Sequence, residues 1–131
     1  MNMIINKLLV SSVFVLASAG AMAADCKLAN SSVAKFSLNT NTALSEADFE
    51  KIGELTAKLN QQSAALLAAT DKCDCDNAYY AVEELSENIE DAYFADDIGQ
   101  AKQNLKSVKI KLSVIKKEIA QCASKIASSS T

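Results

Sequence analysis

The sequence predicts an all-α fold: a small antiparallel helical bundle of three long helices plus a short N-terminal segment or helix, stapled by disulfides at one end. Three observations support this prediction. Apolar residues recur at alternating steps of three and four along much of the chain, as on the buried face of a helix. The 131 residues include no proline and only three glycines, which suits long uninterrupted helices. Finally, four cysteines follow an apolar N-terminal segment.

The first 23 residues have the features of a secretory signal peptide. Lys7 precedes an apolar run over residues 8–19, and the small residues Ala21 and Ala23 stand before the expected cleavage site. The run is shorter than the about 20 residues that a membrane-spanning helix needs. We therefore expect cleavage near Ala23, a periplasmic or secreted location, a bundle domain over residues 24–126 and a disordered tail over residues 127–131.

The clearest predicted helix covers residues 98–126. Its apolar positions alternate in steps of three and four without a break, which is the heptad pattern of coiled-coil-like packing. We call such a row of apolar positions a seam. The seam of this helix consists of Ile98, Ala101, Leu105, Val108, Leu112, Ile115, Ile119, Cys122 and Ile126.

Two further long helices are predicted before it. The first begins at Ser45, which can act as an N-cap with Asp48 in a capping-box-like position. Its seam is Ile52, Leu55, Leu59, Gln62, Leu66, Ala69 and Cys73. The second covers residues 77–95, with Asp74 or Asp76 as its cap, and its apolar face is Ala78, Val82, Leu85, Ile89 and Ala92.

The connections are less regular. A turn is predicted over residues 96–99, where Asp97 can cap the last helix. The pattern of residues 25–42 is ambiguous, and it fits a short helical segment followed by a polar loop. The predicted loop residues are Ser37, Asn39, Thr40, Asn41 and Thr42.

The cysteines are expected to meet at one end of the bundle, because short connections make successive helices antiparallel. Cys26, Cys73, Cys75 and Cys122 then form two disulfides in an oxidising compartment. A bond between Cys73 and Cys75 would close too tight a ring. Of the two remaining pairings, the seam positions of Cys73 and Cys122 favour Cys73 with Cys122 and Cys26 with Cys75, and the other pairing stays open.

Composition argues against several classes of function. The chain contains no histidine, which is the commonest general base and metal ligand. It also lacks arginine and has a net charge of −3, which argues against nucleic-acid binding. We predict no catalytic residues, no cofactor and no metal site. The alternative is a thiol-based redox or soft-metal site at Cys73 and Cys75, although the neighbouring aspartates disfavour thiolates by charge repulsion.

Charges of opposite sign are segregated along the chain. Residues 74–97 carry acidic side chains and no lysine, whereas lysines predominate over residues 98–126. We expect these two segments to pack side by side, since opposite charges help to select the neighbour. The lysine-rich helix also fits a membrane-surface pattern, but its apolar face is needed for the core, so membrane association is not expected.

A few apolar side chains fall outside the seams and are the candidate partner-binding residues: Tyr80, Phe94, Ile110 and Val114. Exposed apolar side chains of this kind can form a docking or dimer surface. The sequence therefore predicts a non-catalytic interaction protein, such as an adaptor, an inhibitor or an assembly partner, which binds another protein or a second copy of itself.

Overall fold

A computed structural model of the chain describes the backbone of residues 2–129 and the side chains of residues 23–128. The described chain forms four helices and no strand: α1 (Asn2–Ser45), α2 (Phe49–Lys72), α3 (Asp76–Tyr93) and α4 (Ile98–Ser129). The predicted all-α bundle with disulfides at one end is confirmed. The predicted signal peptide, residues 1–23, lies almost wholly outside the residues whose side chains are described.

The four helices are arranged around a square. Each helix packs along its successor, and α1 also packs along α4, whereas α2 and α4 approach each other at only a few positions. The short connections make the order up, down, up, down. As a consequence, α2 and α4 lie on one diagonal, and α1 and α3 lie on the other.

The core lies along the axis of the bundle, where the predicted seams of α2, α3 and α4 meet a fourth buried face from α1. Its largest members are fully buried, and they come from all four helices. They are Phe36, Ile52, Leu59, Leu66, Val82, Leu85, Ile89, Leu105, Val108, Ile115 and Ile119. The three- and four-residue spacing therefore predicted most of the buried face of α2, α3 and α4. In α2 it missed Thr56, Ser63 and Thr70, which are buried polar residues. Gln62 is the polar member of the α2 seam, and its side-chain oxygen is buried with no hydrogen-bond partner.

The predicted polar loop near residue 40 is wrong, because α1 continues without a break to Ser45. Cys26, Ala29, Val33, Phe36, Thr40 and Ala43 keep the helical spacing and are all buried. The hydroxyl of Thr40 donates a hydrogen bond to the Phe36 carbonyl at 2.8 Å, so the polar atom is satisfied inside the core. The N-terminal segment is thus a full fourth member of the bundle.

Helix α2 begins later than predicted. Ser45 ends α1, and its hydroxyl donates to the Asn41 carbonyl of its own helix. The N-cap of α2 is Asp48, whose carboxylate accepts a hydrogen bond from the Glu50 amide at 3.0 Å. The predicted cap at Ser45 is therefore wrong. Asp48, which was expected to be the capping-box partner of Ser45, is itself the N-cap of α2.

The connection between α2 and α3 is a tight helix-ending turn. Asp74 has a positive φ of 56°, while Cys73 still has helical geometry. The Asp74 amide donates to the Asp71 carbonyl and the Cys75 amide to the Thr70 carbonyl, which is the Schellman pattern. The N-cap of α3 is Cys75, with no side-chain cap, so the prediction of Asp74 or Asp76 as the cap is wrong.

The connection between α3 and α4 agrees with the predicted turn. Helix α3 ends at Tyr93 and α4 begins at Ile98. The Asp97 carboxylate accepts from the Gln100 amide at 2.8 Å, and the Gln100 side chain accepts from the Asp96 amide at 3.1 Å. This reciprocal pair satisfies free amides at the start of α4.

Helix α4 extends beyond its predicted end. It reaches Ser129, so residues 127–129 of the predicted disordered tail are helical, and residues 130 and 131 lie outside the described part. No proline or glycine interrupts this segment, and the last seam residue, Ile126, packs against the core. Among the described residues, none of the helices is long and apolar enough to cross a membrane.

Candidate functional site

Two disulfides link the helices at the end of the bundle that contains the turn between α2 and α3. Cys26 is bonded to Cys73, with their Cα atoms 4.8 Å apart, and Cys75 is bonded to Cys122, with their Cα atoms 5.8 Å apart. The favoured pairing of Cys73 with Cys122 is wrong. In a square of four helices α2 and α4 are diagonal, so each cysteine reaches a neighbouring helix instead.

The disulfides bear directly on the chemistry of the Cys-x-Cys segment. None of the described cysteines is free. Cys26, Cys73 and Cys75 are at most 1% exposed, so their sulfurs offer neither a thiolate nor access for a soft metal ion. Side chains that could hold a metal ion do not cluster anywhere in the described part of the chain. Two buried disulfides indicate a protein of an oxidising, extracytosolic compartment.

The four predicted partner-binding residues all lie on the outer surface, but the structure does not gather them into one cluster. Their exposed fractions are 61% for Tyr80, 71% for Phe94, 68% for Ile110 and 49% for Val114. Tyr80 lies in the first turns of α3, near the disulfides, and Phe94 follows the last residue of the same helix. Ile110 and Val114 are one turn apart in the middle of α4.

Phe94 belongs to a larger aromatic surface at the end of the bundle away from the disulfides. Its ring packs edge-to-face on Tyr93, with ring centroids 5.0 Å apart. Tyr93 in turn lines an open groove of about 640 Å³ between the start of α2 and the end of α3. We call this the α2–α3 groove, and its lining residues are Phe49, Glu50, Ile52, Gly53, Glu54, Ala57, Ala92, Tyr93 and Ala95.

The sequence reasoning missed this groove, because its two walls come from helices that are far apart along the chain. Phe49 and Tyr93 are 44% and 50% exposed, and they lie on opposite walls of the groove. The available signal was Phe49, an aromatic residue outside the seam of its helix. A second signal was Gly53, a glycine inside a long helix, where it costs stability relative to alanine.

Gly53 gives the groove its depth. A methyl group added at its Cα would meet no other atom within 4 Å. The backbone of α2 is therefore open to the groove at this point. Beyond it, Ile52 is buried in the core, so the floor of the groove is firmly packed. An apolar side chain from another molecule could lie against the helix backbone there.

The charge around the groove is negative. Glu50 and Glu54 line it, and no lysine is among the lining residues, although the exposed Lys51 and Lys58 stand beside them on α2. The nearby end of α3 and the following turn add the exposed acids Glu90, Asp91, Asp96 and Asp97. An apolar groove with an acidic rim is complementary to a segment that carries both apolar and cationic side chains.

The acidic helix α3 also packs along the lysine-rich helix α4. Lys111 of α4 forms an ion pair with Glu84 of α3. This pair is partly exposed and is worth at most about 1 kcal/mol. Its place agrees with the predicted attraction between the two segments.

Comparison of the chain with protein-family models, curated proteins and solved structures finds no match.

Proposed function

We propose that this protein is a secreted or periplasmic, non-catalytic interaction protein whose α2–α3 groove binds an apolar, positively charged segment of a protein partner. The observation that carries the proposal is the groove itself, in which Phe49 and Tyr93 flank an open helix backbone at Gly53. The proposal includes export by the signal peptide over residues 1–23, with cleavage near Ala23.

The scaffold supports a binding role. Disulfides link α1 to α2 and α3 to α4 at one end of the bundle, so the helices cannot separate there. The groove lies at the other end, where the walls are held by the buried side chains of Ile52 and Ala92. A surface that is already fixed loses little conformational entropy when a partner binds, which favours affinity.

The chemistry of the groove supports binding and not turnover. Its polar lining consists of Glu50 and Glu54, both exposed to solvent. Two solvated carboxylates attract cations, but they have no enclosed site in which to act on a substrate. The remaining lining side chains are apolar, so desolvation of apolar surface would supply most of the binding free energy.

Site-specific photo-crosslinking tests this proposal. A photoreactive phenylalanine analogue is placed at Ala57, in the groove, and in a matched variant at Ala34, an exposed position on α1. Both variants are exposed to the extracytosolic fraction of the producing cell. We expect a protein adduct from position 57 and none from position 34. The same adducts from both positions, or none from either, would contradict the proposal.

A second variant tests whether the groove must be open. Gly53→Gln places a side chain with good helix propensity at the groove, at a position where the Cβ meets no atom of another helix within 4 Å. In this background the adduct from position 57 should be lost, while the helical content by circular dichroism stays unchanged. An adduct of unchanged yield would show that the partner binds elsewhere.

A further inference from the structure

We propose that the segment that occupies the α2–α3 groove is α4 of a second copy of this chain, so that the protein assembles head to tail. This inference rests on the proposed function of the groove and names its partner. The chain carries on its own α4 the combination of apolar and cationic side chains that the groove requires.

The complementary surface is the outer face of α4. Lys106, Ile110, Val114 and Lys117 follow each other at steps of four, four and three, so they form one line along the helix. We call this line the α4 ridge. It is about 16 Å long at about 1.5 Å per residue. All four side chains are exposed, and the two apolar ones lie between the two lysines.

The ridge is not required for the core of its own molecule. Leu105, Val108, Leu112 and Ile115 are at most 2% exposed and form the inner face of the same helix. Ile110 and Val114 instead project 68% and 49% of their surface into solvent. Two adjacent apolar side chains on an exposed helix face, with lysines at either end, have the form of a helix that docks into a groove.

The charges and the apolar side chains of the two surfaces are complementary. The groove presents the apolar side chains of Phe49 and Tyr93 and the carboxylates of Glu50 and Glu54. The ridge presents an apolar pair and two ammonium groups. Burial of Ile110 and Val114 beside Gly53 removes apolar surface from water on both partners, and the lysines meet the acidic rim.

We expect the assembly to be heterologous, because the groove lies between α2 and α3 and the ridge lies on the outer face of the diagonally placed α4. A two-fold dimer would have to bring both surfaces of each copy against the other copy at once. Helices α2 and α4 are diagonal in the bundle, so a copy whose ridge is occupied still presents an open groove. Contacts of this kind propagate into rings or open chains and do not stop at a symmetric dimer. The observable consequence is growth beyond the dimer as the protein concentration rises.

Sedimentation velocity of the oxidised chain from residue 24 onward tests the inference. We expect the average mass to rise with protein concentration past that of a dimer. At about 1 M salt, where the screening length is about 3 Å, we expect the association to weaken only by the part that the lysines and the acidic rim contribute, because the apolar contact is not screened. A monomer at every concentration at low salt would overturn the inference.

Two blocked variants identify the surfaces. Gly53→Gln fills the groove, and the double variant Ile110→Ser with Val114→Ser removes the apolar ridge; both sites are open to solvent in the folded chain. Each variant alone should associate at least about tenfold more weakly than the unmodified chain. Leu28→Ser is the matched control, since Leu28 is 58% exposed on α1 near the disulfides and belongs to neither surface, and it should associate normally.

A mixture of the two blocked variants gives the sharpest result. Each variant retains one intact surface, so an equal mixture should form a one-to-one dimer and nothing larger. Two variants that stay monomeric when mixed would overturn the inference, as would self-association that survives both changes. If the ridge variant were poorly folded, Lys106→Glu with Lys117→Glu replaces it, because both lysines are exposed.

The oligomeric state and the adduct from position 57 together distinguish failure of this inference from failure of the proposed function. A strictly monomeric protein that still yields a foreign adduct from position 57 overturns the second copy as the occupant and leaves the groove as a binding site. A monomeric protein with no adduct overturns both.

Discussion

Cys73 and Cys75 are separated only by Asp74, and their disulfides nevertheless join different pairs of helices. Cys73 is bonded to Cys26 on α1, and Cys75 is bonded to Cys122 on α4. The positive φ of Asp74 reverses the chain between them, so the two side chains leave in different directions. One short turn therefore fixes all four helices at one end of the bundle and leaves the α2–α3 groove at the other end.

This pairing predicts a specific peptide map. A protease that cuts before aspartate separates Cys73 from Cys75, because Asp74 stands between them. Under non-reducing, denaturing conditions, mass spectrometry should find one cross-linked product with Cys26 and Cys73 and another with Cys75 and Cys122. Reduction before digestion is the control and should release all four peptides. A product that contains both Cys73 and Cys122 would contradict the structure.

The two disulfides should contribute about equally to stability. Each closes a loop with a sequence separation of 47 residues, for which the chain-entropy model gives roughly 4 kcal/mol. We expect Cys26→Ser with Cys73→Ser, and separately Cys75→Ser with Cys122→Ser, to lower the free energy of unfolding by similar amounts of roughly this size. Denaturant titration measures both values. A pair whose removal changes nothing would show that its link does not constrain the unfolded chain.

The sequence predicted the fold class and the buried positions because a seam is a local pattern. Residues 37–42 misled the prediction, since serine, asparagine and threonine favour turns over helix interiors. Packing prevails there: Thr40 is buried and its hydroxyl is satisfied by the Phe36 carbonyl, while Asn41 and Thr42 point outward.

The wrong disulfide pairing was favoured because Cys73 and Cys122 both occupy seam positions. In a bundle of three long helices every helix neighbours the other two, so two seam cysteines at one end could be bonded. The fourth helix places α2 and α4 on a diagonal, and the pairing changes with it. The groove could not be predicted from the sequence, because Phe49 and Tyr93 become neighbours only when α2 and α3 pack together. By contrast, Ile110 and Val114 were predictable, since exposure on one helix follows from spacing alone.

The turn at Asp74 predicts opposite effects of glycine at two nearby aspartates. Asp74 has a φ of 56°, a conformation that costs a residue with a side chain about 1 kcal/mol and costs glycine almost nothing. Asp74→Gly should therefore raise the free energy of unfolding by up to about 1 kcal/mol. Asp71→Gly is the control in the last turn of α2, where the backbone is helical and glycine should lower it, by less than the about 1 kcal/mol of a helix interior. Thermal or denaturant unfolding compares them, and two shifts of the same sign would contradict the turn geometry.

Two apolar residues on α4 should respond very differently to truncation. Leu105 is fully buried, so Leu105→Ala should lower the free energy of unfolding by about 2–5 kcal/mol through lost packing and a cavity. Ile110 is 68% exposed, so Ile110→Ala should change it by no more than about 0.5 kcal/mol. The measurement is made at high salt and low protein concentration, so that association does not contribute. A large loss for Ile110→Ala would place this side chain in the core and remove it from the α4 ridge.

The two helical glycines outside the predicted signal peptide should also differ. At Gly53 an added methyl group meets no atom within 4 Å, so Gly53→Ala should raise the free energy of unfolding by about 1 kcal/mol through better helix propensity. At Gly99 the same methyl group would lie 3.2 Å from the Asp97 carboxylate oxygen that caps α4. Gly99→Ala must displace that oxygen or weaken the cap, which is itself worth about 1 kcal/mol, so we expect little or no gain there. Denaturant unfolding of both variants tests this difference. Stabilisation at Gly99 that equals that at Gly53 would show that the cap adjusts freely, and a loss at Gly53 would show that the groove is closed in solution.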